Sequence, residues 1–161
     1  MRAALLALLA LLVQATTALA GEPLAFERGS WARIAAAHRG QAIVVHLWGL
    51  TCTPCLAELP KWSKLENERP DLRLVMIAAD PVPQADTQVA ATLDRAGLGA
   101  VESWSFADRF VERLRYEIDP AWSGELPRTL LISRDGTRTV LKGVADLAQV
   151  RAWLDGQKRM D

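Results

Sequence analysis

The sequence predicts an α/β protein in which buried strands alternate with amphipathic helices. Two mainly apolar runs, residues 42–48 with His46 as the odd member and residues 72–79, are each long enough for one buried strand. Between them, apolar side chains recur every three residues over 56–65, which is typical of a helix. An Asp-Gly pair at 135–136 lies between two further strand candidates and predicts a hairpin. Parallel strands are therefore expected early in the sheet and an antiparallel pair at its end.

The helix between the two buried strands begins at Thr53 and ends near Arg69-Pro70. An earlier helix passes through Trp31 and Ile34, with Ser30 as its N-cap and His38 as a cap at its other end.

The second half of the chain is divided by proline and glycine. Pro81 and Pro83 break the chain before a helix marked by Val89 and Leu93. The remaining elements are a weaker strand at 101–106, a short helix carrying Phe110 and Leu114, the hairpin strands 129–133 and 137–142, and a closing helix with Leu147, Val150 and Leu154.

Length and composition exclude several classes of protein. A chain of 161 residues, half of them hydrophobic and a quarter charged, fits one folded domain and excludes disordered and repetitive proteins. Nineteen basic residues balance nineteen acidic ones, and neither sign is clustered. The charge pattern of a nucleic-acid binder is therefore missing, and no nucleic acid is expected as a partner.

Residues 1–20 have the pattern of an export signal. Arg2 precedes an unbroken Leu/Ala/Val run, and Ala18-Leu19-Ala20 before Gly21 resembles a cleavage site. The alternative is an uncleaved membrane anchor through residues 3–20, which are near the lower length limit for spanning a bilayer. The sequence thus predicts an exported, periplasmic protein whose folded domain covers residues 21–161.

The chain has two cysteines, Cys52 and Cys55. Outside the cytoplasm such a pair can form a disulfide, but the loop that it closes is too short to constrain much of the unfolded chain. The pair is therefore expected to serve chemistry.

The cysteines lie where a strand passes into a helix. A thiol there faces free backbone N–H groups and the positive end of the helix dipole, which favour the thiolate. Pro54 suits the first helical turn because it has no N–H to leave unpaired. We expect Cys52, at the exposed end, to attack and the deeper Cys55 to resolve. A copper(I) site and a purely structural disulfide remain the alternatives, although the chain offers only His46 near the pair as a further ligand.

Residues 48–60, WGLTCTPCLAELP, resemble the W-x-x-x-C-x-P-C-x-x-E-x-P motif of exported thioredoxin-like proteins of the TlpA/ResA type. Residues 124–132, GELPRTLLI, with the following Asp-Gly pair, resemble the G-x-P-x-T segment and hairpin of the same family. Two motifs in the right order make the resemblance specific. It implies a thioredoxin-like fold, with a central mixed sheet flanked by helices on both faces, and thiol-disulfide exchange.

The resemblance also implies roles for three further residues. Pro127 falls at the position of a cis-proline that faces the disulfide, and Leu126 before it would offer its backbone to a partner chain. Glu58 matches an acidic position one turn after the resolving cysteine, where a carboxylate can hold a proton and raise cysteine pKa values.

Histidine at position 46 departs from the resembled proteins, because thioredoxins commonly have Asp there and the TlpA/ResA-type family commonly has Asn. His46 is interpreted either as a hydrogen-bonded core residue, as a base for Cys55, or as a metal ligand. Thr51 also departs, since an aromatic residue often precedes the first cysteine. Together with Leu126 and Trp122, Thr51 is predicted to line the partner groove.

The sequence therefore predicts a monomeric protein thiol-disulfide oxidoreductase, acting as a reductant, whose only redox group is the Cys52–Cys55 pair. Its expected partners are client proteins with disulfides and, by resemblance, a membrane thiol reductant that supplies electrons. A copper(I) chaperone using the same thiols and a disulfide-forming oxidant are the alternatives.

Overall fold

Six strands form one mixed sheet in the computed structural model, which describes residues 21–159. The strands are β1 (Leu24–Phe26), β2 (Ile43–Trp48), β3 (Leu74–Ala78), β4 (Glu102–Phe106), β5 (Arg128–Ile132) and β6 (Arg138–Lys142). The five helices of the same region are α1 (Ser30–Ala37), α2 (Thr53–Glu68), α3 (Asp86–Arg95), α4 (Val111–Ile118) and α5 (Leu147–Lys158). The expectations for residues 1–20 lie outside the described residues.

The strand order is β1-β4-β3-β2-β5-β6, which places β2 near the middle of the sheet. The pairs β1/β4, β4/β3 and β3/β2 are parallel, whereas β2/β5 and β5/β6 are antiparallel. The predicted combination of early parallel strands and a final antiparallel hairpin is confirmed.

Side chains of β2 alternate between the two faces of the sheet. Val45 and Leu47 belong to a core cluster with residues of α1 and α4, whereas Val44 and Trp48 belong to a second cluster with residues of α2, α3 and α5. The sequence of a strand that is buried on both faces is apolar at nearly every position, because the side chains of both faces are shielded from water. The expected helices on both faces are therefore confirmed.

Two local expectations were wrong, and one strand was missed. The strand β1 was not predicted, because it is a three-residue edge strand in which only Phe26 is fully buried. Ser30 is the first residue of α1 rather than its N-cap; Gly29 occupies that position, and the Ser30 hydroxyl accepts from the N–H of Glu27. Phe110 precedes α4 as its N-cap residue and is exposed.

A cationic side chain lies within the sheet next to the predicted cis-proline. Arg128, 2% exposed, points toward the α1/α4 face, where it pairs with Asp119 at the end of α4 and with Glu125. Its guanidinium also lies 5.9 Å from the ring centroid of Trp122. A buried guanidinium needs such partners, so this cluster holds the loop before β5 against the end of α4.

Within residues 21–159, no helix is both long and apolar enough to cross a membrane.

Candidate functional site

The cysteine pair lies at the carboxyl end of the central strand. β2 ends at Trp48, and Cys52 is the N-cap residue of α2, with Pro54 in the first turn. The two cysteines are joined in a disulfide, and the Cys52 sulfur accepts from the N–H of Cys55 at 3.3 Å. This contact places the sulfur among the free N–H groups of the helix, where a thiolate would be stabilised.

The two cysteine residues differ in exposure. Cys52 is partly exposed, whereas Cys55 is 0% exposed and packs in the core cluster beneath α2. A large partner can therefore reach Cys52 but not Cys55. The prediction that Cys55 lies deeper than Cys52 is confirmed.

The peptide bond between Leu126 and Pro127 is cis, as the resemblance implies. It lies directly before β5, the antiparallel neighbour of β2. Leu126 is half-buried and packs against the core cluster that contains Cys55. The carbonyl of Pro127 accepts from the N–H of Gly143 at 2.9 Å, which ties the segment after β6 to the proline.

His46 and Glu58 form a buried pair below the first turns of α2. His46 Nε2 lies 2.9 Å from Glu58 Oε1, with the two side chains 0% and 4% exposed. The two atoms are close enough for an ion pair, but their geometry is not that of a hydrogen bond. His46 Nδ1 lies 3.0 Å from Thr129 Oγ1, across the β2/β5 pair in which these two residues face each other. Both ring nitrogens therefore have polar neighbours inside the core.

Glu58 also accepts two hydrogen bonds. The indole N–H of Trp62 donates to Oε1 at 2.9 Å, and the N–H of Ala145 donates to Oε2 at 3.3 Å. Burial raises the pKa of Glu58, but the close contact with His46, assisted by these two donors, outweighs burial and holds the pKa below its ordinary value. The carboxylate form is thus the one that the surroundings favour.

A further acidic residue, Asp80, adjoins the site and was not predicted. It follows β3 by two residues, and it accepts from the backbone N–H groups of Leu50 and Thr51 and from the Thr51 hydroxyl. The sequence carried one usable signal, a lone acid directly after an apolar strand, because the carboxyl ends of parallel strands meet at one edge of a sheet.

The predicted groove residues occupy different environments. Thr51 is exposed and Leu126 is half-buried, whereas Trp122 is 5% exposed and donates its indole N–H to the carbonyl of Glu125. Trp122 thus supports the loop before Pro127 from below. That these three residues contact a partner stays a prediction.

Exposed apolar side chains flank the site on two sides. Leu56 follows the buried cysteine on α2, and Val144 follows Gly143, the residue that bonds Pro127. Leu56 is 37% exposed and Val144 is 53% exposed, so both apolar side chains contact solvent.

The disulfide engages both thiols, and in the described part of the chain no three His, Cys, Asp or Glu side chains are grouped so as to hold a metal ion. His38, the other histidine, lies at the end of α1, where its Nε2 is 2.8 Å from Glu102.

Solved structures share this arrangement of strands and helices. A secreted disulfide oxidoreductase of Mycobacterium tuberculosis, homologous to E. coli DsbE, superposes with a TM-score of 0.60 at 18% identity, over 75% of this chain and 85% of that one. A thiol:disulfide interchange protein of Chlorobium tepidum, from the thioredoxin family, gives 0.60 at 20% identity over 76% and 83%. A DsbF homologue of Corynebacterium diphtheriae gives 0.60 at 14% identity over 76% and 75%.

The fold is thioredoxin-like. The structural likeness confirms the predicted fold class, and the cysteine pair stands at the helix start where the resemblance placed it. No protein-family profile and no curated protein sequence matches the chain. At these identities, the likeness shows the fold alone.

Glu58→Gln tests the buried pair. Because the folded-state pKa of Glu58 is lowered, its contribution to stability is fully present above about pH 4.5 and is lost as pH falls through the folded-state pKa. The amide has one oxygen for the two donors, so we expect the variant to be about 1–3 kcal/mol less stable at pH 7 and to lose less stability than wild type on acidification.

Urea unfolding between pH 7 and pH 3 measures both effects. Glu66→Gln, on the same helix, is the matched control and should keep the acid sensitivity of wild type. If the free energy of unfolding changed equally with pH in Glu58→Gln and in wild type, the charge of Glu58 would not contribute to stability.

Proposed function

We propose that the protein is an exported thiol-disulfide oxidoreductase that reduces disulfides in client proteins. The observation that carries the proposal is a disulfide between a partly exposed residue, Cys52, at a helix N-terminus and a buried one, Cys55, with a cis-proline directly before the adjacent strand β5. We infer that this disulfide is the redox group itself and that no other cofactor is required.

The reaction would start from the reduced pair. The Cys52 thiolate attacks one sulfur of a client disulfide, forming a mixed disulfide and releasing the other client sulfur, which takes up a proton. Cys55, deprotonated in turn, attacks the Cys52 sulfur, so that the Cys52–Cys55 disulfide forms and the second client thiol leaves. Two electrons pass to the client in each cycle. A membrane thiol reductant is the proposed source of the two electrons and two protons that restore the dithiol.

Access supports this assignment of roles. A client can reach the partly exposed residue Cys52, whereas the fully buried Cys55 can attack only a sulfur already bound next to it. The Leu126 backbone, held before a cis peptide, and the exposed side chains of Leu56 and Val144 would receive an extended client segment beside the disulfide.

The His46–Glu58 pair supports a proton-handling role during resolution. Glu58 lies one helical turn after Cys55, and His46 lies beside it. The Thr129 hydroxyl next to His46 Nδ1 can donate to the neutral ring or accept from the protonated one. The surroundings of His46 thus accommodate both protonation states, as a base for Cys55 requires.

Cys55→Ser should accumulate mixed disulfides with client proteins, because it keeps the attacking thiol and lacks the resolving one. Cys52→Ser is the matched control and should trap nothing, since its remaining thiol is buried. Non-reducing electrophoresis followed by mass spectrometry of extracts from the exported fraction measures both. Trapping by Cys52→Ser alone would reverse the two roles.

The direction of electron flow is tested by the equilibrium of the Cys52–Cys55 pair with glutathione. A client reductant should have a reduction potential below about −220 mV, whereas a strong exported oxidant lies near about −120 mV. Copper(I) titration of the reduced protein, run in parallel, addresses the chaperone alternative. Tight stoichiometric copper binding without disulfide reductase activity would contradict the proposed function.

His46→Asn should slow the resolution of the mixed disulfide by about 10²-fold near neutral pH while leaving the first attack nearly unchanged, because only resolution needs the buried base. Single-turnover kinetics on the folded fraction measure the two steps separately. His38→Asn, the same change at a histidine paired with Glu102, should leave both rates unchanged. Equal resolution rates in His46→Asn and wild type would leave His46 with a structural role alone.

A further inference from the structure

Asp80 is a buried carboxylate under the loop that leads into Cys52. It is 2% exposed, and its Oδ2 accepts from the N–H of Leu50 at 3.0 Å. Its Oδ1 accepts from the N–H of Thr51 at 3.1 Å and from the Thr51 hydroxyl at 3.0 Å. All three donors belong to the connection between β2 and α2, so one side chain fixes the segment immediately before the nucleophile.

The loop is shaped to receive this carboxylate. A Cβ on Gly49 would lie 2.8 Å from Asp80 Oδ1, closer than a side chain can approach. The carbonyl of Gly49 in turn accepts from the N–H of Cys52 at 3.2 Å. Residues 49–52 therefore form a turn that Asp80 closes from the β3 side, and glycine at position 49 leaves room for it.

The same contacts affect the thiolate of Cys52. Backbone N–H groups just before a helix can stabilise an anion, but those of Leu50 and Thr51 are directed at Asp80. The sulfur of Cys52 accepts instead from Cys55. A carboxylate bound to the residue next to Cys52 also adds a like charge, which disfavours the thiolate.

We propose that Asp80 is a positioning residue that fixes the turn 49–52 and lowers the reduction potential of the Cys52–Cys55 pair. The inference rests on the proposed thiol-disulfide exchange and accounts for its direction. When two glutathione thiols reduce the disulfide, one glutathione disulfide and the protein dithiol form, and two electrons are transferred. A negative charge that disfavours the Cys52 thiolate shifts this equilibrium toward the protein disulfide, so the dithiol gives up its electrons more readily.

Asp80→Asn removes the charge and keeps the shape of the side chain. We expect the pKa of the Cys52 thiol, measured from the pH dependence of alkylation, to fall by about one unit. At pH 8, where the thiolate is populated, the equilibrium constant with glutathione should shift about three- to tenfold toward the dithiol, and tenfold corresponds to about 30 mV. Asp71→Asn is the matched control, because Asp71 pairs with Arg69 and Lys158. Asp71→Asn should change neither the Cys52 pKa nor the equilibrium constant with glutathione. If Asp80 had a structural role alone, Asp80→Asn would lower the stability and leave both of these quantities unchanged.

Thr51→Val provides a second test that does not depend on the folding of Asp80→Asn. It removes one donor from Asp80 Oδ1 and leaves the charge of the Asp80 carboxylate less neutralised, so the Cys52 pKa should rise, opposite to the effect of Asp80→Asn.

A folded Asp80→Asn protein with wild-type Cys52 pKa and glutathione equilibrium would overturn the inference. If Asp80→Asn does not fold, an unchanged or lowered Cys52 pKa in Thr51→Val would do the same. Failure of the wild-type protein to exchange with glutathione at all would instead refute the proposed function.

Discussion

The position of β2 between β3 and β5 is the constraint on which the site depends. Because β3 runs parallel to β2, Asp80 arrives at the same edge of the sheet as the turn before Cys52. Because β5 runs antiparallel to β2, its first residues bring Pro127 to that edge and set Thr129 opposite His46. A one-residue slip in either register would turn these side chains to the opposite face, so the hydrogen bonds of the site and the pairing of the sheet specify each other.

The charges buried near the site are each satisfied in a different way. Glu58 lies beside a histidine and accepts two N–H donors, and Arg128 has two carboxylate partners. Asp80 accepts backbone and hydroxyl donors. Burying an ionisable group without such partners would cost several kcal/mol, so each of these clusters orders the loop that it contacts. The three loops so ordered are those that follow β2, precede β5 and follow β6.

Local patterns predicted much of this molecule, and non-local contacts account for what they missed. The cysteine pair, the start of α2 and the hairpin depend on residues close together in sequence, and the apolar runs identified β2 and β3. The cis peptide at Pro127 came from a resemblance of sequence motifs and was confirmed. Asp80 was missed because its role appears only when β3 pairs with β2, which brings it to the N–H of Leu50, a donor thirty positions earlier in the sequence. The edge strand β1 was missed because three residues, two of them exposed, give no periodic signal.

Two carboxylates therefore stand near one disulfide, each associated with a different cysteine. Asp80 binds the residue before Cys52, and Glu58 lies one turn after Cys55. A carboxylate beside each thiol disfavours the dithiolate, because like charges in a poorly solvated site repel strongly. The disulfide has no charge and is not subject to this repulsion. Both carboxylates therefore favour the disulfide over the dithiolate. Glu58 lies beside His46, whereas Asp80 accepts three hydrogen bonds from Leu50 and Thr51. For the proposed client reductant, we expect Asp80 to have the stronger effect on the redox couple, because its carboxylate binds Thr51, the residue directly before the proposed attacking cysteine.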